Sequence, residues 1–370
     1  MPIKMRVLVT LSNDLVTDQR VQKVCNSLIE WGHQPVLIGR QLPNSLPLPE
    51  WSFKAVRMKL FFRSGPLFYA ELNFRLFFKL LFSTCDAIHA NDLDTLLPAY
   101  LVSRIRNKQL VYDTHEYFTE VPELVRRPKV QAIWKRIESN IFPRLSKIVT
   151  VNESIASLYE QAYGKKLEVM RNIPRSIQIQ KKSRLDMGLP ENTFIIILQG
   201  NGINIDRGGE EAVMMMHHLE NALLLIAGSG DVIPELKKYV IEHQLQDKVR
   251  FISRMPYAEL MTYTACSDLG LALDKNSNIN YRFSLPNKVF DYIHAGIPLL
   301  ASDLIEIRRI IEGYKVGLIA QNHQPEHLAD LVKELILDKA KQADFRENCK
   351  QASLHLFWEN EVLSIQKWYS

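Results

Sequence analysis

The sequence predicts an α/β protein of two domains, each with a parallel β-sheet that helices cover on both faces. Short apolar segments of strand length alternate with helical segments in both halves of the chain, and this alternation is typical of parallel sheets. The length of 370 residues favours two domains over one core. Residues 171–189, with Pro174 and a basic polar run at 180–184, interrupt the pattern and predict an inter-domain linker.

In the first half, residues 6–11 predict an apolar strand and residues 18–31 a helix, with Val21 and Val24 at helical spacing and Gly32 at its end. Further strands are predicted at 34–39, 86–89, 109–113 and 147–152, and helices at 95–106, 130–141 and 154–163.

The second half repeats the pattern, and turns with glycine or arginine follow several of its strands. Its strands are predicted at 194–199, 223–227, 248–252, 269–273, 299–302 and 316–319. One helix is predicted to begin at 209, a second to end near 243 and a third to end near 266. Further helices are predicted over 286–295, 325–337 and 339–356.

The helix over 286–295 has a polar face. Pro286 suits its first turn, and Gly296 with Pro298 ends it. At about 100° per residue, two sets of side chains fall on opposite faces of this helix. The set predicted to pack is Pro286, Val289, Phe290 and Ile293, and the polar set is Ser284, Asn287, Lys288 and Asp291.

This polar face suits a nucleotide. A helix N-terminus with Lys288 suits a phosphate, and the carboxylate of Asp291 suits the hydroxyls of a ribose. The alternative is the solvated face of an amphipathic helix.

The glycine turns offer a second anion-binding feature. Gly200, Gly202 and Arg207 suit a diphosphate, which backbone N–H groups and a guanidinium would hold. Gly228 and Gly230 form another such turn, and the alternative for each turn is a tight connection. NAD and P-loop nucleotide sites are disfavoured, because no full Gly-x-Gly-x-x-Gly follows the first strand and no Walker A motif is present.

In the first half, polar residues follow two predicted strands. His115 lies just past one strand, where a catalytic side chain would project, and the alternative is a structural histidine in a loop. Asn91 and Asp92 follow the other strand. Asp92 and Asp94 have the spacing of a metal-binding pair, but Thr95 marks a helix start, so we predict no metal site. Neither a serine nucleophile elbow nor zinc-ligand spacing is present.

The composition is that of a folded soluble protein, with 46% hydrophobic and 24% charged residues. A net charge of +5 suits phosphate-bearing ligands or an anionic membrane surface. The scattered cysteines, Cys25, Cys85, Cys266 and Cys349, predict free thiols in a reducing compartment. No secretory signal pattern or 18-residue apolar stretch is present, so we expect a cytoplasmic protein.

Residues 53–81, called here the aromatic–basic stretch, interleave basic side chains such as Arg63 and Lys79 with aromatic ones such as Phe61 and Phe74. This mixture suits a membrane interface, which would place the protein on the inner face of the cytoplasmic membrane. The alternative is a core-packing helix whose Lys and Arg heads reach solvent. Nucleic-acid binding is disfavoured, because no nucleic-acid motif accompanies the stretch.

Five segments follow one another in the order found in a known family. They are Asp18-Gln-Arg20, Tyr112-Asp-Thr-His-Glu116, Gln199-Gly200 through Arg207-Gly208, Gly228-Ser-Gly230, and Ser284-Leu-Pro-Asn-Lys288 through Ala295-Gly-Ile-Pro298. The chain resembles the retaining glycosyltransferases of family 4, of the bacterial polysaccharide type.

The resemblance implies a GT-B fold, in which two Rossmann-like domains face each other across a cleft and C-terminal helices cross back to the first domain. Residues 1–174 would bind the acceptor and residues 175–350 the nucleotide-sugar. Residues 351–370 would form the returning helix.

The resemblance also implies roles for particular residues. Arg207 and Lys288 would contact the donor diphosphate, His115 the transferred sugar, and these three are the predicted catalytic residues. Asp291 would bond the ribose, as the second acid of the family's Glu-x7-Glu pattern. The predicted donor-binding residues are Gly200, Asn201, Gly202, Arg207, Gly228, Gly230, Arg254 and Met255 (near the base), Ser284, Leu285, Asn287, Lys288 and Asp291. The predicted acceptor-side residues are Asn13, Asp18, Arg20, Asn91, Asp92 and Glu116.

The chain departs from the family pattern at the first acid, where Phe283 stands. A phenylalanine cannot bond a sugar hydroxyl, so Asn278, Asn280, Tyr281 or Ser284, or backbone N–H groups, would have to take that role. The departure leaves the transferred sugar open.

The implied activity is transfer of a sugar from a nucleotide-diphosphate donor to a saccharide or lipid-linked acceptor, in the synthesis of a surface polysaccharide such as lipopolysaccharide. The transfer would retain the anomeric configuration and use neither a metal nor a cofactor. Two alternatives remain, a GT-B-fold nucleotide-sugar epimerase and a non-catalytic nucleotide-sugar-binding protein.

Overall fold

The computed structural model describes residues 4–43, 45–176, 179–180 and 182–370. These residues form two compact units. Unit 1 runs up to Asn172 and also contains Trp358–Ser370, and unit 2 is Ile173–Phe357. The division falls at 172 and 357, where the resemblance implied 174 and 350.

The predicted linker, 171–189, contains one short 3₁₀ turn, Leu185–Met187, among its described residues. Ile177, Gln178 and Lys181 of the predicted linker lie outside the described residues.

Unit 1 is built on a parallel sheet. Its strands are β1 (Arg6–Asp14), β2 (Gln34–Gln41), β3 (Lys54–Lys59), β4 (Ala87–Asn91), β5 (Gln109–Thr114), β6 (Ile148–Thr150) and β7 (Glu168–Val169). They lie in the order β3-β2-β1-β4-β5-β6-β7 and all pair in parallel. Its first helices are α1 (Gln19–Glu30), α2 (Gly65–Leu81), α3 (Leu93–Ile105), α4 (Pro122–Val125), α5 (Pro128–Ile141) and α6 (Glu153–Tyr163).

Unit 2 has the same architecture. Its strands are β8 (Phe194–Gly200), β9 (Ala222–Gly228), β10 (Val249–Ile252), β11 (Leu269–Ala272), β12 (Leu299–Ser302) and β13 (Gly317–Ala320). They are all parallel, in the order β10-β9-β8-β11-β12-β13. Its helices are α7 (Gly209–Met215), α8 (Ile233–Glu242), α9 (Tyr257–Ala265), α10 (Ile279–Arg282), α11 (Asn287–Ala295), α12 (Ile305–Tyr314), α13 (Pro325–Leu337) and α14 (Lys339–Ser353).

Both sheets confirm the predicted pair of doubly wound α/β domains. The strand order reverses between β1 and β4 in unit 1 and between β8 and β11 in unit 2. In sheets of this kind, ligands bind beyond the carboxyl ends of the strands at such a reversal. The polar residues that the sequence placed after strands therefore gather at these two edges.

The aromatic–basic stretch is not one element. Its first part forms β3, an edge strand, and its second part forms α2, which buries Phe68, Leu72, Leu76 and Leu80. The interpretation of the whole stretch as a core-packing helix is therefore wrong for β3. Neither β3 nor β7 was predicted, because the side chains of β3 are half-buried or exposed and β7 spans two residues.

The helix with the polar face forms as α11, one residue later than predicted. Pro286 is its N-cap, with extended backbone at φ −70° and ψ 144°, rather than a residue of its first turn. Gly296 ends the helix at φ +72°, a left-handed conformation that glycine adopts readily. Val289, Phe290 and Ile293 are fully buried, which confirms the predicted packing face.

The last residues return to unit 1, as the resemblance implied. They form two short helices, α15 (Trp358–Glu361) and α16 (Leu363–Gln366). The Trp358 ring is fully buried, and its Nε1 donates to Ser27 Oγ at 3.0 Å. The Tyr369 hydroxyl lies 2.6 Å from His89 Nδ1. The helix predicted over 339–356 ends earlier, at Ser353.

All four cysteines are buried free thiols, as predicted. Across the described ranges, none of the helices combines the length and apolar character that a membrane crossing requires.

Trp358→Ala should strongly destabilise unit 1, because truncating a buried tryptophan costs about 3–5 kcal/mol. Thermal unfolding followed by circular dichroism would measure the effect. Leu363→Ala is the matched control in the same segment, since Leu363 is 52% exposed and should change stability by less than about 0.5 kcal/mol. Equal losses in the two variants would contradict the anchoring role of Trp358.

Candidate functional site

In unit 2, a buried carboxylate follows the carboxyl end of β11 and holds two cations. The Asp274 side chain has no exposed surface. Arg207 donates to its Oδ1 at 2.5 Å, and Lys288 Nζ lies 3.4 Å from its Oδ2. Burial alone would raise the pKa of Asp274, but Lys288 and Arg207 outweigh burial and hold that pKa below its usual value.

This cluster carries an excess positive charge. Two cations meet one carboxylate, and the side chains of Arg207 and Lys288 keep 27% and 12% of their surface exposed. The Arg207 guanidinium also lies 4.1 Å from the centre of the Tyr281 ring. Asp274 Oδ2 has no hydrogen-bond partner among the described residues, so Lys288 is held at ion-pair distance only. Its ammonium group is thus available to an anion.

Sequence reasoning brought Arg207 and Lys288 together but missed Asp274. The available signal was an acid placed directly after a buried strand, at the edge where both predicted cations lie.

The two glycine turns pack on each other. Ser229 N donates to the Gly200 carbonyl at 3.0 Å, and Ile203 N donates to the Ser229 carbonyl at 3.0 Å. Gly228 has φ +131°, and a Cβ there would overlap the Gly200 carbonyl. These contacts fit the alternative of a tight connection for Gly228. Asn201 and Gly202 stay exposed beyond β8.

Asp291 belongs to a second, separate network. Gln199 Nε2 donates to its Oδ2 at 2.9 Å, and the Tyr257 hydroxyl donates to its Oδ1 at 2.7 Å. Thr264 Oγ1 donates to Gln199 Oε1 at 2.6 Å, which fixes the amide of Gln199. Asp291 is 7% exposed. Tyr257 and Gln199 were not among the predicted site residues, and the spacing of the sequence gave no sign of their contact.

The remaining predicted donor residues differ in burial. Ser284 Oγ is buried without a hydrogen-bond partner among the described residues, and Asn287 is exposed. Leu285 and Met255 are half-buried, and Arg254 is exposed beyond β10.

Phe283 directly follows α10, and the Arg282 guanidinium lies 5.6 Å from its ring centre. Asn278, one candidate substitute for the missing acid, accepts from Tyr281 N at 3.0 Å as the cap of α10.

In unit 1, His115 lies against two carboxylates. Its Nδ1 is 2.8 Å from Asp92 Oδ2, and its backbone N–H donates to Asp92 Oδ1 at 3.0 Å. Its Nε2 is 4.0 Å from Asp113 Oδ2 and has no hydrogen-bond partner in the described part of the chain. Burial disfavours the charged ring, but Asp92 and Asp113 outweigh burial and raise the pKa of His115 to about 9.

Arg20 holds Asp113 beneath this histidine. Its Nε and an Nη donate to the two oxygens of Asp113 at 3.0 and 2.9 Å. Both side chains are buried. Despite burial, Arg20 and His115 hold the pKa of Asp113 well below its usual range. Arg20 was predicted on the acceptor side, and its contacts instead orient the carboxylate below His115.

Other predicted acceptor-side residues also make contacts within the fold. Asp18 caps α1 by accepting from Val21 N at 3.0 Å. Asn91 is buried and donates to the Thr10 carbonyl at 2.9 Å. Asn13 is exposed. Burial and the charge of Asp92 raise the pKa of Glu116 to about 7.

No group of three or more His, Cys, Asp or Glu side chains in the described ranges is arranged to hold a metal ion.

Solved structures with the same architecture match almost the whole chain. A sucrose-phosphate synthase from Thermosynechococcus elongatus matches with a TM-score of 0.80 and 15% identity, covering 99% of this chain and 98% of that one. HepE of Anabaena, solved in complex with UDP and glucose, matches with a TM-score of 0.75 and 16% identity, covering 98% of each chain. The chain has the GT-B fold.

Family models match both units. The model for Glycosyltransferase Family 4 matches residues 18–180, and the model for Glycosyl transferases group 1 matches residues 188–352. The chain belongs to the family 4 glycosyltransferases.

Among curated proteins, the chitobiosyldiphosphodolichol β-mannosyltransferase of Candida albicans is 26% identical over 144 residues. That match covers 37% of this chain and 30% of the relative, so it spans less than a third of the relative's length.

His115 should contribute stability that disappears in alkaline solution. A histidine with a folded pKa of about 9 and an unfolded pKa of about 6.5 stabilises the fold fully below about pH 6.5 and loses this contribution as the pH rises through about 9. Glu116 titrates at about 7 and adds little change above that pH. The free energy of unfolding of wild type, minus that of His115→Gln, should therefore fall between pH 7 and 10 by up to about 3 kcal/mol.

Chemical denaturation at each pH would measure this difference, and NMR titration of the ring would report the pKa directly. His217 is an internal control, since burial lowers its pKa below the usual value. A flat difference together with a His115 pKa near 6.5 would contradict the assignment.

Proposed function

We propose that the chain is a glycosyltransferase that moves a sugar from a nucleoside-diphosphate donor to a saccharide or lipid-linked acceptor. The observation that carries the proposal is the cluster of Arg207, Lys288 and Asp274. It offers excess positive charge at the carboxyl edge of the unit 2 sheet, at positions where the family resemblance expects the diphosphate. UDP is the first nucleotide to test, because HepE of Anabaena was solved with UDP and glucose.

The proposed reaction retains the configuration of the sugar and needs no metal. The bond between the anomeric carbon and the diphosphate oxygen breaks, and a bond from the acceptor oxygen forms on the same face. The acceptor proton passes to the departing diphosphate. Arg207, Lys288 and the N-terminus of α11 stabilise the charge that develops on that leaving group.

His115 would contact the transferred sugar through its side chain, which is 19% exposed. A protonated ring donates its Nδ1–H to Asp92 and carries a positive charge that favours contact with an oxygen of the transferred sugar. The Asp92 and Asp113 carboxylates keep the ring charged at neutral pH, which favours this use.

We further propose that the acceptor belongs to surface polysaccharide synthesis and is held on a lipid. The name of the Candida albicans relative, which acts on a dolichol-linked chitobiosyl diphosphate, supports a lipid-linked acceptor. A lipid-linked acceptor would bring the enzyme to a membrane surface.

Unit 1 carries a surface that fits such a membrane. Phe61, Phe74 and Phe82 are 84%, 66% and 81% exposed, and Arg63 and Lys79 are exposed beside them. Glu71 nearby is paired with Arg75 at 2.8 Å. Exposed aromatic rings with exposed cations suit an anionic bilayer.

Nucleotide binding tests the first proposal. UDP, GDP, ADP, CDP or dTDP should raise the melting temperature, because a ligand present at about 100 times its Kd stabilises the fold by about 2.7 kcal/mol. Arg207→Ala and Lys288→Ala should remove the shift. Arg309→Ala and Lys333→Ala are matched controls, since these side chains are 53% and 49% exposed and pair with Glu306 and Asp330 rather than with Asp274. Absence of a shift with all five nucleotides would overturn the proposal.

Mass analysis then separates the activities. A transferase forms a glycosylated lipid-linked product, whereas an epimerase alters the donor without any acceptor. Nucleotide binding without either product would favour a non-catalytic protein.

Flotation with liposomes tests the membrane proposal. The triple variant Phe61→Ser, Phe74→Ser and Phe82→Ser should bind phosphatidylglycerol-containing vesicles at least about tenfold more weakly than wild type, because it removes apolar area from the contact. The matched control is Ile241→Ser, Leu337→Ser and Leu354→Ser, three residues of unit 2 that are 63%, 84% and 63% exposed. Equal binding by the two triple variants would contradict the proposed surface.

A further inference from the structure

Tyr257 links the segment after β10 to α11. It is the first residue of α9, directly after Pro256. Its hydroxyl donates to Asp291 Oδ1 at 2.7 Å. The family resemblance expects the nucleotide base near Arg254 and Met255 and the ribose at Asp291. Tyr257 therefore connects the two segments between which a nucleoside would lie.

The hydrogen bond gives the Tyr257 hydroxyl a fixed direction. A phenol has one proton to donate and oxygen lone pairs that accept. Because the proton goes to Asp291, the oxygen of Tyr257 remains an acceptor for a ligand hydroxyl. Burial and the charge of Asp291 raise the pKa of Tyr257 well above its usual value, so the phenol stays protonated and this orientation persists.

Asp291 is restrained from the other side. Its Oδ2 accepts from Gln199, whose own amide oxygen accepts from Thr264. The carboxylate is 7% exposed and is one methylene shorter than the glutamate of the family pattern. Asp291 is thus held from two sides, by the amide of Gln199 and by the hydroxyl of Tyr257.

We propose that Tyr257, oriented by Asp291, accepts a hydrogen bond from a ribose hydroxyl of the donor nucleotide. Tyr257 and Asp291 then recognise the ribose as a pair, and Gln199 and Thr264 position Asp291. This inference rests on the proposed function, because it needs a nucleotide in unit 2. The competing role for Tyr257 is purely structural, namely tying α9 to α11.

The two roles differ in how they depend on the ligand. Tyr257→Phe removes the hydroxyl and keeps the ring. If the hydroxyl meets the ribose, the variant should weaken binding of UDP by roughly three- to tenfold, the value of a typical hydrogen bond. The same change should leave the binding of either 2′-deoxy-UDP or 3′-deoxy-UDP unaltered. The nucleotide that lacks the partner hydroxyl cannot form this hydrogen bond even with the wild-type protein.

Isothermal titration calorimetry on the full chain would measure these constants, with GDP and ADP and their deoxy forms as parallel series. Tyr263→Phe is the matched control, since it makes the same change six residues later on α9. Comparing two ligands on one variant cancels any general loss of folded protein. The expected result is that Tyr257→Phe weakens the binding of UDP but leaves the binding of one of the two deoxy nucleotides unaltered. Tyr263→Phe should show no such difference between the ligands.

Two results would overturn the inference while the proposed function stands. One is equal weakening of UDP and both deoxy nucleotides by Tyr257→Phe, which is the signature of a structural role. The other is unchanged binding of all three. If wild type binds none of the ribonucleotides, the proposed function fails first, and this inference fails with it.

Discussion

The candidate donor site depends on one constraint, the cost of burying the Asp274 carboxylate. A buried charge without partners costs several kcal/mol, so its surroundings must supply opposite charge. Here the partners are Arg207, from the loop after β8, and Lys288, from the first turn of α11. Gly208, at φ +79°, lets that loop approach β11 where any Cβ would overlap Leu273. Asp274 thus holds two cations at the carboxyl edge of the unit 2 sheet, the position proposed above for the donor diphosphate.

Unit 1 uses a related arrangement for a different purpose. Asp113, at the carboxyl end of β5, is equally buried and holds Arg20 and the ring of His115. In unit 2 the cations outnumber the carboxylate, which leaves an excess positive charge. In unit 1 the carboxylates of Asp92 and Asp113 favour the charged form of His115. The same physical principle, compensation of a buried charge at a strand end, therefore leaves excess positive charge in one unit and a charged histidine in the other.

The sequence predicted the fold well, because a buried parallel sheet requires continuous apolar runs such as those of β8 and β12. It missed β3, an edge strand whose half-exposed, basic side chains leave no such run. It predicted Arg207, Lys288 and His115 as site residues through strand ends and family motifs, and the structure places each of them near a buried aspartate. It could not identify Tyr257 or the role of Asp274, because these depend on contacts between segments that are distant in the chain. The spacing of residues within one segment carries no information about such contacts. By contrast, the apolar periodicity within α11 was sufficient to predict its packing face.

The return of residues 358–370 to unit 1 has a consequence for how the protein is made. Unit 1 leaves the ribosome first, yet the ring of Trp358 that fills its core beside Ser27 is synthesised only after the whole of unit 2. Domains generally fold as units during synthesis. Unit 2 can therefore complete its core while unit 1 still lacks the segment Trp358–Ser370. Unit 1 can therefore complete its core only after Trp358 has been synthesised, which follows the residues of unit 2 in the chain.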